Sequence, residues 1–164
     1  MVPLSELVAA RERLPAAIVR TPLLYSEDLS EQVGAPIYFK CENLQVTGSY
    51  KARAAFTLLD RLTPEQRRRG AALSSSGNFA SAFAYMGRRL GIPTAVVMMA
   101  STSPLKIERC RRYGTEIVLC ADDWDARWQT LARLEAERGM VAIDTFESPD
   151  VIAGHGTLGL EIAD

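Results

Sequence analysis

Phe39-Lys40-Cys41-Glu42-Asn43-Leu44-Gln45-Val46-Thr47-Gly48-Ser49-Tyr50-Lys51-Ala52-Arg53-Ala54-Ala55 is the most informative segment of the chain. An apolar run of Ile37, Tyr38 and Phe39 enters it as a strand over residues 37–41, and an Ala/Leu-rich helical run over 54–62 leaves it. Between them Thr47-Gly48-Ser49 is a turn, with Ser49 placed to N-cap the following helix. Lys51 then falls at a helix start, where free backbone N–H groups and partial positive charge disfavour an ammonium. That placement does nothing for helix stability. It suits an amine needed in its neutral form, because only an unprotonated amine attacks an aldehyde to give a Schiff base.

Outward from this stretch the pattern is punctuated by caps and breakers. Ser5 caps a first helix over 5–14 that Pro15 stops, and Arg20-Thr21-Pro22-Leu23 reads as extended because a residue before proline is pushed out of the helical region. Gly34-Ala35-Pro36 is a turn into the strand. After the lysine helix, Thr63-Pro64-Glu65-Gln66 forms a capping box with proline at the first helical position, and Gly70 closes that short helix. Then strands and helices alternate. Strand 71–73 leads into the loop Ser74-Ser75-Ser76-Gly77-Asn78 and a helix with Phe79, Phe83, Met86 and Leu90 on one face. Strand 94–98 is followed by a helix opened by Ser103-Pro104 and closed by Gly114. Strand 116–119 is followed by a helix capped by Asp122 or Asp123 that carries Trp124, Trp128, Leu131 and Leu134, and strand 141–143 ends the series. This alternation predicts the α/β class: a parallel, twisted sheet with helices on both faces and right-handed crossovers.

Ligands of such sheets gather where strand ends meet helix N-termini. The Ser74–Asn78 loop is such a place, and its N–H groups and three hydroxyls make a receptor for a carboxylate. The bland reading of the same residues is an ordinary βα turn, with serines and asparagine for capping and glycine for a positive φ.

The segment from Lys40 to Arg53 closely resembles the pyridoxal-phosphate lysine segment of fold-type II enzymes. Within them it is most similar to the serine/threonine dehydratase (threonine ammonia-lyase) and serine racemase branch. Ala52 then Arg53 follow the lysine here, where cysteine and threonine synthases have aspartate then arginine. Arg20-Thr21-Pro22-Leu23 and Ser75-Ser76-Gly77-Asn78 also match that branch. The resemblance implies a small α/β domain over 51–150, flanked by an N-terminal portion of a large domain over 1–50 and a return into it over 151–164. It implies Lys51 as the residue holding pyridoxal 5'-phosphate, Tyr50 flanking the cofactor ring, and Asn78 on the ring hydroxyl. Ser75, Ser76, Gly77 and Asn78 would bind the carboxylate of a small amino-acid substrate, threonine or serine. Dehydration to a 2-oxo acid and ammonia is the implied reaction. Racemisation with Ser76 as second acid/base is the alternative, and a non-catalytic α/β fragment is the other. Family members are commonly dimers or tetramers, so a homo-oligomer is expected.

The chain departs from the pattern in three places. Phe79 stands where many dehydratases have histidine, which alters the substrate pocket, and Ala54 replaces a common glycine. Gly154-His155-Gly156-Thr157 resembles a family segment, often Gly-Gln-Gly-Thr, that precedes the rest of the large domain. No Gly-Gly-Gly tract is present to cradle a phosphate, so the resemblance extends over the N-terminal half of the family only. Apolar surface left exposed where further chain packs predicts association.

Composition excludes several other classes. The 164 residues are 48% hydrophobic and 24% charged, a globular composition, and a formal net charge of −1 gives no field favouring nucleic acid or an anionic membrane. Arg67-Arg68-Arg69 reads as the solvated face of a short helix. No apolar run approaches a membrane span, no signal-peptide pattern opens the chain, and Cys41, Cys110 and Cys120 lack Cys-x-x-Cys spacing. They read as reduced thiols of a cytoplasmic protein. A single histidine, His155, argues against a Ser-His-Asp site and a multi-histidine metal site. No Gly-x-Gly-x-x-Gly follows a strand, which disfavours a dinucleotide fold.

Overall fold

The computed structural model describes residues 1–164. Its centre is a four-stranded, wholly parallel sheet of β3 (Ala71–Ser74), β4 (Thr94–Met99), β5 (Glu116–Cys120) and β6 (Val141–Ile143), in the order β5-β4-β3-β6. Alternation along the inner strands sorts side chains to two faces. Leu73, Val96 and Met98 join one core with α3 (Lys51–Asp60) and α5 (Asn78–Leu90), with α6 (Pro104–Arg111) beside α5. Ala72, Ala95 and Val97 join a second core on the opposite face, with Leu131 and Leu134 of α7 (Trp124–Arg138). The expected sheet with helices on both faces is therefore what forms.

The strand expected over 37–41 forms as β2 (Tyr38–Lys40), but outside this sheet. It pairs antiparallel with β1 (Leu23–Tyr25) as a separate two-stranded ribbon, with Leu24 opposite Phe39 and Tyr25 opposite Tyr38. The helix between these strands, α2 (Glu27–Val33), carries too few apolar residues for periodicity to announce it. Leu23, Leu24, Tyr25, Tyr38 and Phe39 of the ribbon are all exposed.

Caps follow local chemistry where the polar group is free to turn back. Thr63 and Gln66 form the expected capping box of α4 (Pro64–Arg69), and Asp123 caps α7 by accepting from Ala126 N–H at 2.9 Å. Asp122 instead accepts from Ser101 N–H. Ser5 is not a cap, because α1 (Leu4–Arg13) already begins at Leu4 behind Pro3. The three cysteines are free, and burial raises the thiols of Cys110 and Cys120 above their ordinary range.

Two devices fasten α8 (Pro149–Ala163) to α3. One is steric. A Cβ on Gly154 would lie 2.5 Å from Ala54 Cα, so the two helices touch backbone to backbone only because Gly154 has no side chain. The other is ionic. Arg53 is fully buried and donates to Glu42 through Nε at 3.0 Å and Nη2 at 2.8 Å, and to Glu161 through Nη1 at 2.6 Å. Lys40 Nζ donates to the other Glu161 oxygen at 2.6 Å, and Thr21 donates to Glu42 at 2.6 Å. Two cations thus balance two carboxylates within one buried cluster. Burial is the largest single influence on Glu42 and Glu161 and opposes their ionisation, yet the hydrogen bonds and charge of Arg53, joined by Thr21 and Gln45 at Glu42 and by Lys40 at Glu161, together hold both carboxyls below their ordinary value.

Two predictions follow from this clasp. Gly154→Ala overpacks the helix contact and should cost about 1–3 kcal/mol in urea unfolding. Gly159→Ala on the same helix, where an added Cβ meets nothing within 4 Å, should instead stabilise by about 0.5–1 kcal/mol. Arg53→Met leaves buried Glu42 without a cation and Glu161 with Lys40 alone, and should cost about 3–5 kcal/mol. Because the folded carboxyls are depressed below 4.5, their contribution is complete above that pH and is lost as pH falls through the folded values. Wild-type stability should therefore fall below about pH 4.5, and Glu161→Gln should flatten that fall.

Candidate active site

Sheet order locates the site before any side chain is considered. From β3 the chain steps outward to β4 and β5, then returns across the sheet to place β6 on the other side of β3. The order reverses between β3 and β6, and the loops beyond their carboxyl ends part to leave a crevice. There a cleft of about 350 Å³ opens, lined from β3 by Ser74, Ser75 and Ser76 and from beyond β6 by Thr145 and Phe146. Lys51, Phe79, Arg127 and His155 complete its walls.

Lys51 reaches the cleft from the first position of α3. Gly48 makes the preceding turn with φ of 74°, a left-handed conformation that favours glycine. Arg109 ties the turn to α6 by donating to the Thr47 carbonyl at 2.8 Å. Ser49 is not the N-cap it was expected to be. Tyr50 holds that position in helical conformation, and the Ser49 hydroxyl is buried without a partner. Lys51 Nζ donates to the Tyr50 hydroxyl at 2.7 Å and lies 5.7 Å from the centre of the Phe79 ring. No carboxylate is paired with it. An amine with aromatic neighbours and no counter-ion is accessible to an incoming carbonyl.

Opposite the lysine, the serine loop leads into α5. Ser76 Oγ lies 3.1 Å from Thr102 Oγ1, while Ser75 Oγ accepts from Gly77 N–H at 3.3 Å. Gly77 precedes α5 with φ of −128°, so the positive φ of an ordinary turn glycine is not its reason for being there. A Cβ at Gly77 would meet nothing within 4 Å, which leaves open space at the helix start. Asn78 is the first residue of α5; it and Gly77 are exposed at the rim and do not line the cleft. The first N–H groups of α5 have no intrahelical acceptor and offer an anion both hydrogen bonds and the favourable end of a dipole. The structure thus brings Lys51, Ser75 and Ser76 to one cleft, with Tyr50 on the lysine and Gly77 and Asn78 at the edge.

Four lining residues, Arg127, Thr145, Phe146 and His155, escaped the sequence reading, and two of them are ionisable. Arg127 on α7 donates through Nε to Ser74 Oγ at 2.8 Å. His155 on α8 packs against Tyr50, with ring centres 4.8 Å apart, and against Phe79 at 6.0 Å. Its Nε2 is buried without a partner. Burial, reinforced by the Lys51 charge, lowers its pKa to about 4. His155 lies 104 residues from Lys51 in sequence, and only the α3–α8 contact brings them together. Being the sole histidine, it gives one imidazole signal in proton NMR, expected to titrate near pH 4. A depressed histidine stabilises the fold above its unfolded value of 6.5, and that stability fades as pH falls toward 4. His155→Gln should remove this part of the acid sensitivity, as followed by urea unfolding between pH 7 and 4.

Comparison with known proteins places this geometry in a family. Residues 14–164 match the model of the pyridoxal-phosphate dependent enzymes. The chain is 39% identical over 162 residues to an L-threonine ammonia-lyase of Geobacter sulfurreducens, covering 99% of this chain and 40% of that protein. It is 38% identical to a beta-hydroxyaspartate dehydratase of Paracoccus denitrificans, covering 97% of this chain and 50% of that one. The structure of maize serine racemase superposes with a TM-score of 0.94 at 31% identity, covering 98% of this chain and 49% of that one. The chain spans about half the length, or less, of these relatives. The sheet, the lysine-bearing helix and the matched sequence agree, and the chain belongs to the pyridoxal-phosphate dependent enzymes of fold-type II.

Proposed function

We propose that this chain carries the reactive lysine and the substrate-carboxylate loop of an ammonia-lyase acting on a β-hydroxy amino acid, threonine or serine. One observation supports this above others: the Lys51 amine, without a counter-ion, and the serine loop ahead of α5 open on the same cleft. The cleft suits a planar, aldehyde-bearing cofactor, with one unpaired amine between the rings of Tyr50, Phe79 and His155. In this reading Lys51 holds pyridoxal phosphate, Tyr50 flanks its ring and Asn78 meets its ring oxygen. We read residues 51–150 as the small domain, with 1–50 and 151–164 belonging to a large domain.

When bound, the cofactor supplies an electron sink for the carbanion at Cα. The chain's own residues supply the rest. Ser75, Ser76, Gly77 and Asn78 hold the substrate carboxylate at the helix N-terminus and so fix Cα. Lys51 Nζ takes the α-proton; it stands at a helix start with no acid paired to it. The β-hydroxyl departs as water, and hydrolysis of the product leaves a 2-oxo acid and ammonia. Ser76 supports a second reading, racemisation, because its hydroxyl already shares a hydrogen bond with Thr102 inside the cleft and could carry a proton there.

Borohydride reduction in the presence of pyridoxal phosphate, followed by peptide mapping, tests the lysine assignment. The expected result is a phosphopyridoxyl adduct confined to Lys51 and lost in Lys51→Ala. Ammonia release from threonine or serine by the holoenzyme should fall by roughly 10²- to 10⁴-fold or more in that variant. Labelling of the exposed Lys106 or of Lys40 in place of Lys51 would reject the assignment.

A further inference from the structure

Tyr50 and Lys51 are consecutive, and consecutive side chains on a helix do not face each other. Here the lysine chain folds back over its neighbour, with Nζ 4.2 Å from the centre of the Tyr50 ring and 2.7 Å from its hydroxyl. Helix geometry does not account for that contact. The hydroxyl accepts from Nζ and donates to no protein group, and Tyr50 is exposed, so its proton is free for a ligand. The Tyr50 ring also packs against His155 of α8, with centres 4.8 Å apart, which anchors the phenol beside the amine.

In the ammonia-lyase reading Lys51 takes the α-proton and the β-hydroxyl departs as water, a departure that needs a proton. The departing oxygen sits two bonds from the carbon whose proton Lys51 removes, so its acid stands close to Nζ. Few groups qualify. No carboxyl lines the cleft, and Arg127 does not release a proton at any ordinary pH. His155, with its pKa lowered to about 4, is not a cationic acid near neutrality. The others are the alkyl hydroxyls of Ser74, Ser75, Ser76 and Thr145, which give up a proton less readily than a phenol. Tyr50 adjoins the cleft through its hydrogen bond to Lys51. We propose that Tyr50 is a further catalytic residue, whose hydroxyl protonates the departing β-hydroxyl and is reloaded by Lys51 across their hydrogen bond. This inference rests on the ammonia-lyase reading and deepens it. The step balances without a further reactant. The Cα–H bond breaks, its proton goes to Nζ, and its electron pair closes the Cα–Cβ double bond as the Cβ–O pair departs with the oxygen. That oxygen takes the Tyr50 proton and leaves as water. The phenolate then takes a proton from Nζ, so both side chains end as they began.

Leaving groups separate this role from a structural one, because chloride departs without a proton and a hydroxyl does not. Ammonia release from serine, threonine and β-chloroalanine is measured for the holoenzyme as wild type and as Tyr50→Phe, which keeps the ring and removes one oxygen. The ratio of kcat/KM for either hydroxy amino acid to that for β-chloroalanine should fall by roughly 10²- to 10⁴-fold in Tyr50→Phe. Removal of the α-proton, followed in deuterium oxide as label entering recovered serine, should continue in the variant and outrun elimination. Borohydride reduction with pyridoxal phosphate should still label Lys51 there, since ring and amine are intact. An unchanged ratio would overturn the assignment, whether all substrates slow equally or none does, while ammonia release by wild type leaves the lyase reading standing. Loss of Lys51 labelling in Tyr50→Phe would also overturn it, giving the hydroxyl a part in holding the cofactor instead. A wild type that releases ammonia from none of the three substrates would overturn the lyase reading and this inference with it. Circular dichroism of the variant separates loss of chemistry from loss of fold.

Discussion

The pairing of Arg53 with Glu42 and Glu161 is the constraint on which the site depends. Arg53 follows Lys51 by two residues, and two residues turn a helix by roughly 200°, so the two side chains leave α3 in nearly opposite directions. One is drawn into a charge-balanced interior cluster and the other is thereby aimed at the cleft. Removing a charged group from water is costly unless its partners are complete and well oriented. Here both carboxylates accept from more than one donor, and the guanidinium uses all three of its nitrogens. The same cluster joins β2, the segment ahead of the lysine turn, α3 and α8. Backbone contact at Gly154 then sets the distance between α3 and α8, and so how closely His155 approaches Tyr50 and Lys51.

The electrostatics of the cleft are one-sided. Lys51 and Arg127 supply formal positive charge, the start of α5 supplies partial positive charge, and no acidic side chain faces them. No carboxylate on the cleft pairs with the Lys51 amine, whose neighbours are the Tyr50 hydroxyl and the rings of Tyr50 and Phe79. His155 reports the same field, since burial and the lysine charge both oppose its protonation. The cleft thus combines two requirements: an anionic ligand is attracted, and the groups that exchange protons with it are not neutralised in advance. Aromatic walls of Tyr50, Phe79 and Phe146 keep it from being simply a polar groove.

Much of this was legible in local sequence. The breakers Gly70 and Gly114 and the caps Thr63 and Asp123 mark element ends because their chemistry acts within three or four residues. The parallel sheet and the helices on its two faces follow from alternation at a regular pace. Lys51, Ser75 and Ser76 were recognisable from the segments around them, and the structure brings all three to the cleft. Errors cluster where a short polar residue had alternatives. Ser5 and Ser49 have cap chemistry, but one lies inside a helix already begun and the other is buried in a turn.

Local sequence carries the types of most elements, the parallel sheet and the position of the lysine at a helix start. These rest on periodicity, turn residues and dipoles that act over a few residues. Long-range packing sets the pairing of β2 with β1 apart from the main sheet, the return of β6 to the far side of β3, and the burial of Arg53 between two glutamates. It also decided that Arg127 and His155 stand with Lys51. Those outcomes join residues as far apart as 53 and 161, and which charges pair there depends on which helices touch and what water is expelled. No local pattern carries that information.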